Sequence, residues 1–163
     1  MSTMKVLVAV EDDFFAKEIV DYITRQQWPD DVAFRVLHVV EPPPPIPLPP
    51  SYHELSEVYW QVGTTLVRDV TSKIRNALTK ATVIDQVLEG DPQEEIVQAA
   101  SAWGANLVVL GARGRHGSRR FRLGSVSRAV SAIAPCTVTI VRPAERHSEL
   151  KASEALSTAA AKE

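Results

Sequence analysis

Four of the chain's seven glycines, Gly111, Gly114, Gly117 and Gly124, crowd into GARGRHGSRRFRLG at 111–124, and Ser125 follows directly. Arg113, Arg115, Arg119, Arg120 and Arg122 lie between them, with His116. Bare backbone and guanidinium charge both suit a phosphate group: glycine lets N–H donors approach closely and tolerates positive φ. A helix beginning at Ser125 would add open N–H groups and the positive end of its dipole. Spacing excludes the two common phosphate loops. There is no G-x-x-x-x-G-K-[ST], no lysine stands between Lys80 and Lys151, and no G-x-G-x-x-G follows a strand. The spacing present is Gly111-x2-Gly114-x9-Gly124-Ser125. At average residue usage it arises by chance in about 1 % of chains this long. The bland alternative is a surface loop with solvated arginines.

The elements around this segment must position it. KVLVAV at 5–10 is a short valine-rich run that reads as a strand buried on both faces. Phe15, Ile19 and Ile23 then recur at helical spacing, with Asp12 or Asp13 as cap and Trp28-Pro29 as stop. A second strand is expected at 32–40. EPPPPIPLPP at 41–50 holds seven of the eleven prolines and reads as a stiff connecting loop. From Ser51 a helical stripe of Leu55, Tyr59, Val62, Leu66, Val70, Ile74 and Leu78 is expected to pack on the core. A third strand is expected at 82–88. Asp91, Pro92 and Glu94 have the positions of a capping box, and Gly104 those of a helix stop. NLVVL at 106–110 reads as the fourth strand, 125–134 as a short helix and 137–142 as the fifth strand.

Strand–helix alternation predicts an α/β fold, a doubly wound parallel sheet with helices on both faces. Ligands of such sheets bind beyond the carboxyl ends of the strands, where strand order switches. The glycine segment leaves the fourth strand at that edge. A chain of 163 residues is expected to form one domain over 1–143, with the polar, alanine-rich 144–163 as a mobile tail. Net charge is −2, so affinity for anions has to be local. The single Cys136 excludes an intramolecular disulfide and fits a reducing compartment. Neither a membrane span nor a signal peptide is legible, and the expected location is the cytoplasm.

With these residues in order, the chain resembles the universal stress protein family, whose nucleotide-binding motif has the spacing G-x2-G-x9-G-[ST]. VLVAVEDD is similar to the family's first strand, LHVVE to its second strand end, GDPQEEIVQAA to its G-x-P segment and APCTVTIV to its last strand. The resemblance covers roughly 3–143. It implies a Rossmann-like five-stranded parallel sheet in a three-layer sandwich of the adenine nucleotide alpha hydrolase-like type. Because the motif is intact, it also implies the ATP-binding branch. The ligand implied is ATP, or AMP or another adenine nucleotide, with Mg²⁺ as companion where a metal is used. By position, Leu110, Gly111 and Gly114 would border the nucleotide, and Gly124, Ser125 and Val126 would hold its phosphates. Val39 would meet the adenine through its backbone. Glu11 stands where the family commonly has an aspartate touching the nucleoside. Its extra methylene carries the carboxylate about 1.5 Å further out, and Asp12 is the neighbouring alternative.

Other chemistries are less well supplied. The arginines could serve RNA, but Phe121 is the one aromatic among them and the domain is not basic. His38, inside a strand, reads as a satisfied core histidine. No His/Cys cluster has metal-ligand spacing, and Ser125 and Ser127 lack a G-x-S-x-G elbow, so no catalytic residue is assigned. No carboxylate falls between Glu95 and Glu145, a poor setting for phosphoryl hydrolysis. The expected function is a nucleotide-binding sensor or switch in the stress response, against a slow ATP hydrolase or an RNA-binding module. Thr137, Val138 and Ile140 lie in a last strand without lysine, proline or internal charge. That strand, with the resemblance, implies a homodimer.

Overall fold

The computed structural model describes residues 3–47, 49, 51–112 and 123–143. Its elements are β1 (Lys5–Ala9), α1 (Asp13–Arg25), β2 (Ala33–Val40), α2 (Ser51–Ala77), β3 (Thr82–Glu89), α3 (Pro92–Trp103), β4 (Leu107–Gly111), α4 (Ser125–Ile133) and β5 (Thr137–Val141). The five strands form one parallel sheet in the order β3-β2-β1-β4-β5. Helices cover both faces, as the strand–helix alternation predicts. The segments 113–122 and 144–163, with the arginine cluster, Gly114, Gly117 and the expected tail, lie outside the described residues.

Alternation along each strand builds two cores. Val6, Val8 and Val10 join Phe34, Val36, Val109 and the buried faces of α1 and α2. Leu7 and Ala9 join Leu37, Val108, Leu110 and the buried faces of α3 and α4. Both sides of the central strands are therefore apolar, which explains their continuous valine runs. Ile19 and Ile23 are fully buried, each stabilising the fold by about 1.5–3 kcal/mol.

Helix ends follow local chemistry. Asp12 caps α1 by accepting from the Phe15 N–H at 2.9 Å. Asp91 caps α3, its Oδ1 accepting from the N–H groups of Gln93 (2.8 Å) and Glu94 (3.3 Å), with Pro92 beside it. Gly104 ends α3 at φ 68°, a left-handed conformation that favours glycine.

Two expectations need correction. α1 stops at Arg25 rather than at Trp28-Pro29, because the Trp28 indole folds back and donates from Nε1 to the Ile23 carbonyl at 2.7 Å. The α2 stripe is only half core. Leu66, Val70 and Ile74 are buried, whereas Leu55, Tyr59 and Val62 are 47–52 % exposed. The cause is length: 27 residues of helix run about 40 Å, but the eight residues of β2 span about 26 Å. Gly63 lies against His38, near the carboxyl end of β2, and a Cβ there would collide with the ring. The described α2 residues before Gly63 are all exposed or half-buried. The preceding proline segment is irregular over its described residues, as expected of a stiff connection.

Candidate functional site

The chain runs outward from β1 to β2 and β3, then returns to add β4 and β5 on the other side of β1. The switch point is thus the crevice between the carboxyl ends of β1 and β4. β1 delivers Glu11 and Asp12 to it, and β4 delivers Leu110, Gly111 and Ala112. Asp12 is engaged in capping α1. Glu11 is exposed at the rim.

On the α3/α4 side, Leu110 is buried and Val39 and Val126 are half-buried, all in one apolar cluster with Ala9 and Val130. The structure therefore brings together three positions that are 16 to 87 residues apart in the chain. Gly111 faces the opposite way. A Cβ on it would lie 2.7 Å from Phe15 Cδ1 and 2.8 Å from Cγ, so glycine is required there for close packing of α1 on β4. The positive φ anticipated for the motif glycines is not used at Gly111 or Gly124. Gly124 has φ −60°, and the described glycines with positive φ are Gly90 and Gly104.

α4 starts unlike its neighbours. Gly124 is its N-cap and makes no side-chain capping bond, and the first turn holds no acid. Arg128 is the first residue whose N–H returns to a cap carbonyl, that of Gly124 at 3.0 Å. The N–H groups of Ser125, Val126 and Ser127 precede it and have no acceptor within the helix. Their donors and the helix dipole give an electropositive, backbone-lined spot at the edge of the crevice. Residues 3–142 match the Universal stress protein family model. The chain belongs to the universal stress protein family.

A universal stress protein of Methanocaldococcus jannaschii is 32 % identical over 114 residues, 69 % of this chain and 66 % of that relative. The match thus spans just under two thirds of the relative's length. Among solved structures, the Archaeoglobus fulgidus universal stress protein in complex with dAMP superposes with a TM-score of 0.60 at 21 % identity, covering 86 % of this chain and 99 % of that one. An Arabidopsis thaliana family member with AMP bound gives 0.64 at 18 %, covering 88 % and 94 %. At such identities the structural likeness is one of fold.

Within the family motif, Gly111, Gly124, Ser125 and Val126 are placed at the crevice, and Gly114 lies outside the described residues. His38 is satisfied, its Nδ1 bonded to the Val10 carbonyl at 2.9 Å, in keeping with its reading as a structural histidine. Burial pushes the Cys136 thiol above its ordinary value, which disfavours the nucleophilic thiolate. Among the described residues no three His, Cys, Asp or Glu side chains gather as a metal site. No described helix is long and apolar enough to cross a membrane.

Sequence reasoning missed Ser127 as a component of this edge. It is 2 % exposed and donates from Oγ to the Ala112 carbonyl at 2.9 Å, with the Gly124 carbonyl at 3.2 Å. The available signal was a hydroxyl three residues after a glycine cap, a position from which serine reaches back to local carbonyls.

Proposed function

We propose that this chain binds an adenine nucleotide, ATP foremost, in the crevice between β1 and β4, and acts as a nucleotide-dependent sensor or switch in a stress response. The observation that carries this reading is the uncapped, acid-free start of α4 at the switch point, in a chain that keeps the complete glycine spacing. The relatives solved with AMP and dAMP support adenine as the base.

In this reading the phosphates sit on the N–H groups of Ser125 and Val126 and on the Ser125 hydroxyl, with Gly114 and Gly124 giving the backbone its close approach. Leu110 and Gly111 border the nucleotide, Val39 meets the adenine through its backbone, and Glu11 addresses the ribose. A Mg²⁺ arriving with ATP would be held by the phosphates, Ser125 and a strand-end carboxylate among Glu11, Asp12 and Glu41, a hard-oxygen set suited to that ion. Hydrolysis is at most slow, because no carboxylate stands between Glu95 and Glu145 to position a water.

Calorimetry on nucleotide-free protein with ATP, ADP, AMP and cyclic AMP tests the binding. Heat above background for at least one is expected, and none for all four would reject the reading. Single-turnover kinetics with bound ATP is expected to give release far faster than cleavage. β5 lies at the sheet edge with Val138 and Ile140 half-buried, which supports a homodimer through Thr137, Val138 and Ile140. Light scattering at micromolar concentration giving the 17.9 kDa of one chain would reject that assembly.

A further inference from the structure

We infer that Ser127 is a positioning residue for the phosphate end of the crevice: it holds the first turn of α4 against the end of β4, so that the open N–H groups stand in place before a ligand arrives. This rests on the nucleotide site proposed above. Two side chains among the described buried residues are polar, Thr71 and Ser127. Thr71 Oγ1 has no hydrogen-bond partner, whereas the Ser127 hydroxyl reaches both ends of the segment that closes the motif.

Ala112 is the anchor. Its N–H donates to the Val141 carbonyl at 2.9 Å, fixing it to β5, and its own carbonyl accepts from the Gly124 N–H at 2.8 Å. Ser127 Oγ adds a second donor to that carbonyl. The Gly124 N–H tie sets where the cap lies. The Ser127 tie, three residues on, sets how the first helical turn is rotated about it, and that rotation aims the N–H groups of Ser125 and Val126. Without the hydroxyl the cap stays attached but the turn is free to fray, and ordering it becomes part of the cost of binding a phosphate. The base and ribose are met by strand ends and do not depend on this turn.

That division sets the test. Affinities of the parent and of Ser127→Ala are measured for ATP and for adenosine, which has base and ribose but no phosphate, together with melting of the ligand-free proteins. The expected result is a loss of about 10-fold for ATP, with adenosine affinity unchanged within about 2-fold. Equal ATP affinity in parent and variant, or equal losses for ATP and adenosine, would overturn the inference while leaving the nucleotide site standing. A parent that binds neither ligand overturns the site and this inference together. Should Ser127→Ala not fold, Ser127→Cys, near in size but a weak donor, is read the same way, with an expected ATP loss of about 3-fold.

Discussion

α3 and α4 are neighbours packed on the same face of the sheet, yet their starts are chemically opposite. α3 opens on Asp91, whose carboxylate takes two backbone N–H groups, and Glu94 and Glu95 follow in its first turn. α4 opens on Gly124, with no side chain to cap it and no acid in its first turn. The first start is satisfied from within and already carries negative charge. The second leaves donors open and stays electropositive. An aspartate cap is worth a few tenths of a kcal/mol over a glycine one, so the start of α4 beside the strand switch gives up a little local stability and leaves its backbone donors open. α1 shows the same contrast from the other face, since Asp12 caps it and Asp13 follows.

Making α4 resemble α3 should have the largest effect. Gly124→Asp places a carboxylate where phosphate would bind, and ATP affinity should fall by at least about 100-fold, or about 2.7 kcal/mol. Ligand-free melting should hold or rise slightly, because aspartate is a good cap. Titration calorimetry with thermal melts checks both, and unaltered binding would mean that the start of α4 is not the phosphate site. Gly111→Ala comes next and should act on folding. Its Cβ would press on Phe15 at 2.7 Å, costing about 1–3 kcal/mol in urea unfolding; a variant as stable as the parent would show that α1 can yield. Asp91→Ala should lower stability by about 1 kcal/mol and leave ATP affinity alone, and a loss of affinity would couple the two starts. The smallest effect is that of salt. Raising ionic strength from 0.05 to 0.5 M should weaken ATP binding by about 0.3–1 kcal/mol from loss of the α4 dipole interaction, and a salt-independent constant would argue against an exposed, charge-driven site.

Much of this was legible beforehand because it is local. Val6 to Val10 announce a doubly buried strand, and Asp12, Asp91 and Gly104 mark helix ends by side-chain reach or backbone freedom. The doubly wound parallel sheet also followed from strand–helix alternation, whereas its order, β3-β2-β1-β4-β5, came only with the structure. What escaped reading depends on what lies opposite a residue. Periodicity shows that Leu55, Tyr59 and Val62 share a face with Leu66, but not that the sheet ends before it reaches them. Gly111 satisfies a ligand-motif spacing and a packing demand from Phe15 at once, and spacing cannot separate the two. Ser127 looked like one serine among several because its acceptor, the Ala112 carbonyl, lies fifteen residues back in sequence.

The tie between Ala112 and Gly124 has an architectural consequence. Because the Gly124 N–H meets the Ala112 carbonyl at 2.8 Å, the intervening stretch departs from and returns to nearly one point. Lengthening a closed loop is entropically cheap, about 0.6 kcal/mol per doubling, and neither flank must shift to accommodate added chain. The end of β4 and the cap of α4 are thus clasped to each other directly, and their relative placement does not depend on the length of chain between them.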